Sequence, residues 1–201
     1  MKQPPSLPLE KLAALKIEFI EFLQSVNRDG IDNLIKWLEN ETDFFTAPAS
    51  SQFHGAFEGG LILHSISVYK YLKNFTKTLP NISEETVLIT GLLHDLCKVN
   101  FFTKQLKNVK IPGEKRWEEE MQYAIEDSLP MGHGEKSVYL AMKHIHLTDE
   151  EALSIRWHMG GYDDAARAFI SGKSQSTAYK MYPLAAALNI ADMYVTYILN
   201  Q

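Results

Sequence analysis

Apolar residues recur at helical spacing along most of this chain, and the places where the rhythm fails mark its other elements. From about Leu9 to Val26, the residues Leu12, Leu15, Ile17, Phe19, Ile20 and Leu23 describe an amphipathic helix that Asn27 to Gly30 ends. Ile31, Leu34, Ile35 and Leu38 predict a second, shorter helix. Between Phe44 and Phe57 aromatic residues follow no period and a proline intervenes, so this stretch reads as irregular. Gly59-Gly60 opens a third helix through Leu61 to Leu72, broken by Thr78 to Pro80. Ser83 is placed to cap a fourth, with Glu84 and Glu85 in its first turn, where negative charge meets the helix dipole. That fourth helix, Glu84 to about Val99, carries apolar residues around most of its circumference and is predicted to lie in the core.

Residues 101–132 break the helical pattern. Val109-Lys110-Ile111 and Trp117 flank Pro112-Gly113, the signature of a short β-hairpin inserted in a helical fold. Helical spacing returns from Gly134 to about Ile145, then again after Thr148-Asp149-Glu150-Glu151, a capping box. Gly160-Gly161 ends that second helix just past His158. A last long helix is expected from about Ser176 to Leu199, with Leu184, Leu188, Ala191, Val195 and Ile198 on its buried face. The fold class is therefore all-α, a helical bundle with a small inserted β-hairpin. One domain over residues 1–201 is expected, with 1–57 a helical N-terminal extension and 58–198 the core that carries the insert.

With 201 residues, 45% of them hydrophobic and 22% charged, the chain has the composition of an ordinary globular domain. A net charge of -5 argues against a general nucleic-acid binder, yet leaves room for a locally basic site that holds a phosphorylated ligand. The single cysteine, Cys97, excludes an internal disulfide framework, and the residues after Met1 lack the apolar core of a signal peptide. The apolar runs are too short to span a membrane. A cytoplasmic location is expected.

Two carboxylates change this picture. Asp95 follows His94 inside the apolar run Leu92-Leu93-His94-Asp95-Leu96, and Asp192 is the one charged residue between Pro183 and Gln201. An unpaired carboxylate in such surroundings is costly to bury, so each needs a cation or several hydrogen-bond donors. Two such carboxylates, each in a core helix and each near histidines, are more simply explained by a shared metal than by two separate ion pairs. Imidazole with carboxylate suits iron, manganese, nickel, cobalt or zinc, without a thiolate. Cys97 lies two residues from Asp95, which on a helix turns it away, and it reads as a core residue. His54, His144 and His146 read as ordinary core or surface histidines.

Five segments together resemble the HD-domain metal-dependent phosphohydrolase superfamily: Gly59 to His64, Leu92 to Lys98, Gly132 to Glu135, Arg156 to Gly160, and Leu188 to Asp192. The order His, His-Asp, His, His, Asp is similar to the dinuclear branch, which includes cyclic-dinucleotide phosphodiesterases and HD-type 3′→5′ exoribonucleases. The resemblance implies His64, His94, Asp95 and Asp192 as the ligands shared across the superfamily. It also implies a bridging role for Asp95, with His133 and His158 completing a second site. One or two divalent transition metal ions are thus the expected cofactors.

The implied activity is hydrolysis of a phosphate mono- or diester, of a nucleotide or short nucleic acid, by a metal-activated hydroxide. Asp95 and Lys98 are the expected catalytic residues, Lys98 lying one turn beyond Asp95 and binding phosphate or stabilising the leaving group. A solvated lysine at a helix end is its plainer alternative. The implied partner is a small phosphorylated substrate or a short single-stranded nucleic acid. An oxygen-activating di-iron enzyme and a non-catalytic nucleotide-binding module are the alternative functions. Within residues 101–117, Lys104, Lys107, Lys110, Lys115 and Arg116 are offset only by Glu114, so the insert is either a basic flap beside the site or a solvated hairpin. Tyr162 is placed to stack a base or is simply packed.

Overall fold

A computed structural model describes residues 3–79, 81–111 and 113–200. Helices α1 (Leu9–Gln24), α2 (Ile31–Asn40), α3 (Gly60–Phe75) and α4 (Glu84–Leu93) precede a hairpin of β1 (Phe102–Lys110) and β2 (Trp117–Ile125). Helices α5 (His133–Met142), α6 (Asp149–Trp157), α7 (Asp164–Arg167), α8 (Phe169–Met181) and α9 (Pro183–Met193) follow. The architecture is a mostly helical bundle carrying one small antiparallel hairpin, as the periodicity predicts.

The core helix is α4. Every residue from Thr86 to Leu93 is buried, which explains why its sequence has no polar face. Its polar groups are satisfied locally: the Thr86 amide donates to the Ser83 hydroxyl at 3.0 Å, and the Thr90 hydroxyl donates to the Thr86 carbonyl at 2.8 Å. Helix α3 packs along α4 and α9, while α6 lies against both α5 and α9. Leu15, Phe19 and Leu23 of α1, spaced four apart on one face, enter the same apolar cluster as Ile62 and Leu92. Among the described residues no helix is long and apolar enough to cross a membrane.

The chain departs from the periodic pattern in three places. Helix α4 stops at Leu93 instead of reaching Val99, because Asp95 adopts φ -107° and ψ 22° and Leu96–Lys98 form a 3₁₀ turn. Such a turn brings residues three apart onto one side, and Lys98 accordingly reaches back to Asp95. The expected helix from Ser176 to Leu199 is divided at Tyr182, whose φ of -129° and ψ of 89° leave the helical region before Pro183. Pro183 takes the first position of α9, where its missing amide costs nothing, and α9 then loosens into a π turn over Tyr194–Ile198. The hairpin has nine residues in each strand, longer than its turn signal implied. Pro112 of that signal, Pro80 beyond α3, Met1 and Gln201 lie outside the described residues.

The hairpin also corrects the basic-flap expectation. Lys104 lies 3.4 Å from Glu58 and over the Tyr123 ring, Lys107 faces Glu120 across the strands, and Arg116 pairs with Glu114. The positive charge of β1 is met by the acidic β2. None of these cations lines the cavity described below, to which the insert contributes Phe101 and the paired residues at the hairpin base, Phe102 and Ile125.

Candidate metal centre

The site forms where four helix ends meet. His64 lies in α3, His94 caps the end of α4, and Asp95 follows it as the chain leaves the helix. His133 is the first residue of α5, His158 caps the end of α6, and Asp192 sits near the end of α9. Two glycines allow this convergence. A Cβ on Gly91 would lie 2.7 Å from the Tyr69 Cα, so α3 and α4 approach closely only with glycine there. A Cβ on Gly134 would lie 2.1 Å from the Arg156 carbonyl oxygen, so the start of α5 likewise rests directly on α6.

Asp95 is the hub. Its Oδ1 accepts from His133 Nε2 at 2.9 Å and lies 3.6 Å from His158 Nε2. Its Oδ2 lies 2.7 Å from the Lys98 ammonium, 3.4 Å from His94 Nε2 and 3.5 Å from His64 Nε2. The same His64 nitrogen also meets Asp192, with Nε2 to Oδ1 at 3.1 Å. The Thr196 hydroxyl also donates to Asp192 Oδ1, at 3.3 Å. All six residues expected from the sequence therefore lie in one cluster, together with Lys98.

Burial alone would push the Asp95 carboxyl up, but Lys98, His94 and the His133 hydrogen bond outweigh it and hold Asp95 well below the usual carboxylate range. Asp192 is likewise held low, burial being outweighed by His64. Burial opposes the charge of Lys98 as well, yet the facing Asp95 raises its pKa. Both carboxylates are anionic, and the lysine beside them is cationic.

The donor chemistry fits divalent metal ions. His94 Nδ1 donates to the Gly91 carbonyl at 2.9 Å and His158 Nδ1 to the Ile155 carbonyl at 2.6 Å, with each ring anchored by its own helix end. Such anchoring fixes the tautomer and leaves Nε2 with its lone pair facing the cluster. His158 Nε2 is fully buried and finds no hydrogen-bond partner among the described residues, an orphan that a bound cation would satisfy. Among the described residues three overlapping sets of ligand atoms arise: His64, His94 and Asp192; His94, Asp95 and His158; Asp95, Cys97 and His133.

The last set contains a residue that the sequence reading placed elsewhere. Because Leu96–Lys98 is a 3₁₀ turn, Cys97 faces His133, its Sγ lying 3.4 Å from Nδ1 and 3.3 Å from Nε2. Burial pushes this thiol up to about 12. His54 is no ordinary core or surface histidine either: its ring packs 5.1 Å from that of His64, and burial with the nearby Lys98 charge lowers its pKa to about 4. No periodic signal in the irregular segment could have located it.

A cavity of about 390 Å³ opens onto Asp95, Lys98, His133 and Asp192. Its walls are mainly apolar and aromatic, with Phe53, Phe101 and Phe102 among them. Tyr162 and Tyr197, both exposed, stack at 6.2 Å and also line it, the latter carried there by the π turn after Asp192. Lys98 is the one lysine or arginine among the described lining residues.

Fold and donors together define a helical protein built around a buried histidine and aspartate cluster. The model of the HD domain family matches residues 61–196, and the chain belongs to that family. No curated protein and no solved structure gives a significant match.

Proposed function

We propose that this protein is a metal-dependent phosphohydrolase of the dinuclear kind, acting on a phosphate mono- or diester of a small nucleotide in the cytoplasm. His64, His94, Asp95 and Asp192 would hold one divalent ion, and Asp95, His133 and His158 a second. Bound there, such ions supply Lewis acidity and a nucleophilic water at neutral pH. The observation that carries the reading is the position of Asp95: each of its oxygens faces a different group of imidazoles, as a bridging carboxylate requires.

The remaining chemistry falls to the chain itself. Lys98 presents a cation at the cavity and binds a phosphoryl oxygen or the leaving group. The apolar walls exclude water around the ester, which strengthens each of these charges. The stacked Tyr162 and Tyr197 offer a face for a base, while a single lysine in the lining offers little to a polyanionic strand. A nucleotide is therefore favoured over a short nucleic acid.

The test is hydrolysis of a panel of nucleotides, cyclic nucleotides and short oligonucleotides, read as free phosphate from the monoesters and as new nucleotide products from the diesters, with protein of measured manganese or iron content. Turnover on small nucleotides that Asp95→Asn abolishes is expected. No hydrolysis of any member of the panel at confirmed occupancy overturns the reading.

A further inference from the structure

We propose that His54 is a substrate-binding residue of this centre, its imidazole donating a hydrogen bond to a phosphoryl oxygen of a molecule that also meets Lys98. The inference deepens the phosphohydrolase reading above and rests on it.

His54 stands beside the metal ligands without being one of them. Its ring packs 5.1 Å from that of His64, yet its nitrogens enter none of the three donor sets found among the described residues. It lines the cavity together with Asp95, Lys98 and Asp192. A group in that position meets a molecule seated on the metals, and not the metals themselves.

Packing accounts for the residue poorly. Phe53 is left 82% exposed while the next side chain, the imidazole of His54, is half-buried against His64. Apolar burial alone would favour the reverse order. The loop that carries the ring is also pinned. The Ser50 hydroxyl donates to the His54 carbonyl at 2.8 Å, the Phe53 amide donates to the Ser50 hydroxyl at 2.8 Å, and the Ala49 amide donates to the Gly55 carbonyl at 2.9 Å. A Cβ on Gly60 would lie 2.0 Å from that Gly55 carbonyl oxygen, so the loop rests directly on the start of α3, the helix of His64. The imidazole is thereby held in place before any ligand arrives, which lowers the entropy cost of binding.

The donor is also uncommitted. Of the other polar side chains in the lining, Ser50, Asn189 and Thr196 donate inside the protein, to the His54 carbonyl, the His158 carbonyl and Asp192. The ring nitrogens of His54 form no hydrogen bond among the described residues. An imidazole donates in either protonation state, so the contact does not require His54 to be charged.

Inorganic phosphate serves as the probe. Manganese-loaded full chain, dialysed free of unbound metal, is titrated with phosphate while phosphorus-31 relaxation is recorded, since bound manganese(II) speeds the relaxation of a phosphorus nucleus close to it. His54→Phe keeps a ring and removes the donor, whereas His54→Gln keeps a donor. The phosphate concentration at half-saturation should rise roughly 10-fold or more in His54→Phe, the worth of one hydrogen bond to a charged group, and stay close to the wild-type value in His54→Gln. Manganese content should be the same in all three. Equal half-saturation in the wild type and His54→Phe overturns the role of His54 alone, as does a His54→Gln variant no better than His54→Phe, which assigns the loss to packing. Loss of manganese from His54→Phe makes the residue a metal ligand and overturns the role too. No relaxation enhancement by the fully loaded wild type overturns both this role and the phosphohydrolase reading.

Discussion

Asn189 donates its side-chain amide to the backbone carbonyl of His158 at 2.6 Å, tying the end of α6 to the helix that carries Asp192. The carbonyl that follows a buried imidazole is thereby satisfied from across the site, and the two ligand-bearing helix ends are fixed relative to each other. Asn189→Ala should lower stability by about 1–3 kcal/mol, the cost of leaving a buried acceptor unpaired. Metal affinity should fall with it. Denaturant unfolding of the chelated protein and a zinc titration read the two effects separately.

Gly91→Ala sets two effects against each other. Alanine favours a helix interior by about 1 kcal/mol over glycine. Its Cβ, however, would lie 2.7 Å from the Tyr69 Cα, and overpacking of this kind costs about 1–3 kcal/mol. Because backbone rather than a flexible side chain is in the way, the clash wins and the variant is less stable. Moving α3 from α4 also separates His64 from His94, whose Nε2 atoms now lie 3.4 Å apart, so metal binding weakens too.

Lys98→Met separates binding from catalysis. Without metal, the variant removes the closest partner of a buried carboxylate, and breaking a buried pair costs about 3 kcal/mol at the low end, since imidazoles remain on Asp95. Lys98 also competes with a metal ion for Asp95 Oδ2. The loaded variant should therefore bind zinc more tightly than the wild type while releasing phosphate more slowly. Weaker zinc binding by the variant would contradict this account of the lysine.

A pH effect is expected away from the site, at Asp127 and Lys136, which lie 2.6 Å apart. Burial works to raise the Asp127 pKa, but the Lys136 hydrogen bond outweighs it and the net direction is down. A carboxyl depressed in the folded state contributes stability above its unfolded pKa of about 4, lost as pH falls through the folded value. Asp127→Asn should melt lower than the wild type at neutral pH, by the equivalent of about 1–2 kcal/mol. The gap between the two melting curves should close below about pH 4.

The helices and the candidate donors were legible because both leave local signals. The capping box is one: the Thr148 hydroxyl accepts from the Glu151 amide, and the Glu151 carboxylate accepts from the Thr148 amide. The two carboxylates in apolar segments are another. Cys97 was not legible, because helical periodicity turns it from Asp95 and only the 3₁₀ turn brings it back. His54 lies where no period exists, so its place beside His64 depends on tertiary packing. The lysines of β1 looked like a basic flap because their partners, Glu58 and Glu120, lie far along the chain or across the hairpin.

Elemental analysis of protein purified without chelator or metal-binding tag tests the central claim most directly. The account predicts about two transition-metal ions per chain in the wild type, falling to about one in the His133→Ala, His158→Ala double variant. A wild-type ratio near one or zero, or a ratio near two that the double variant leaves unchanged, would contradict a two-metal centre bridged by Asp95.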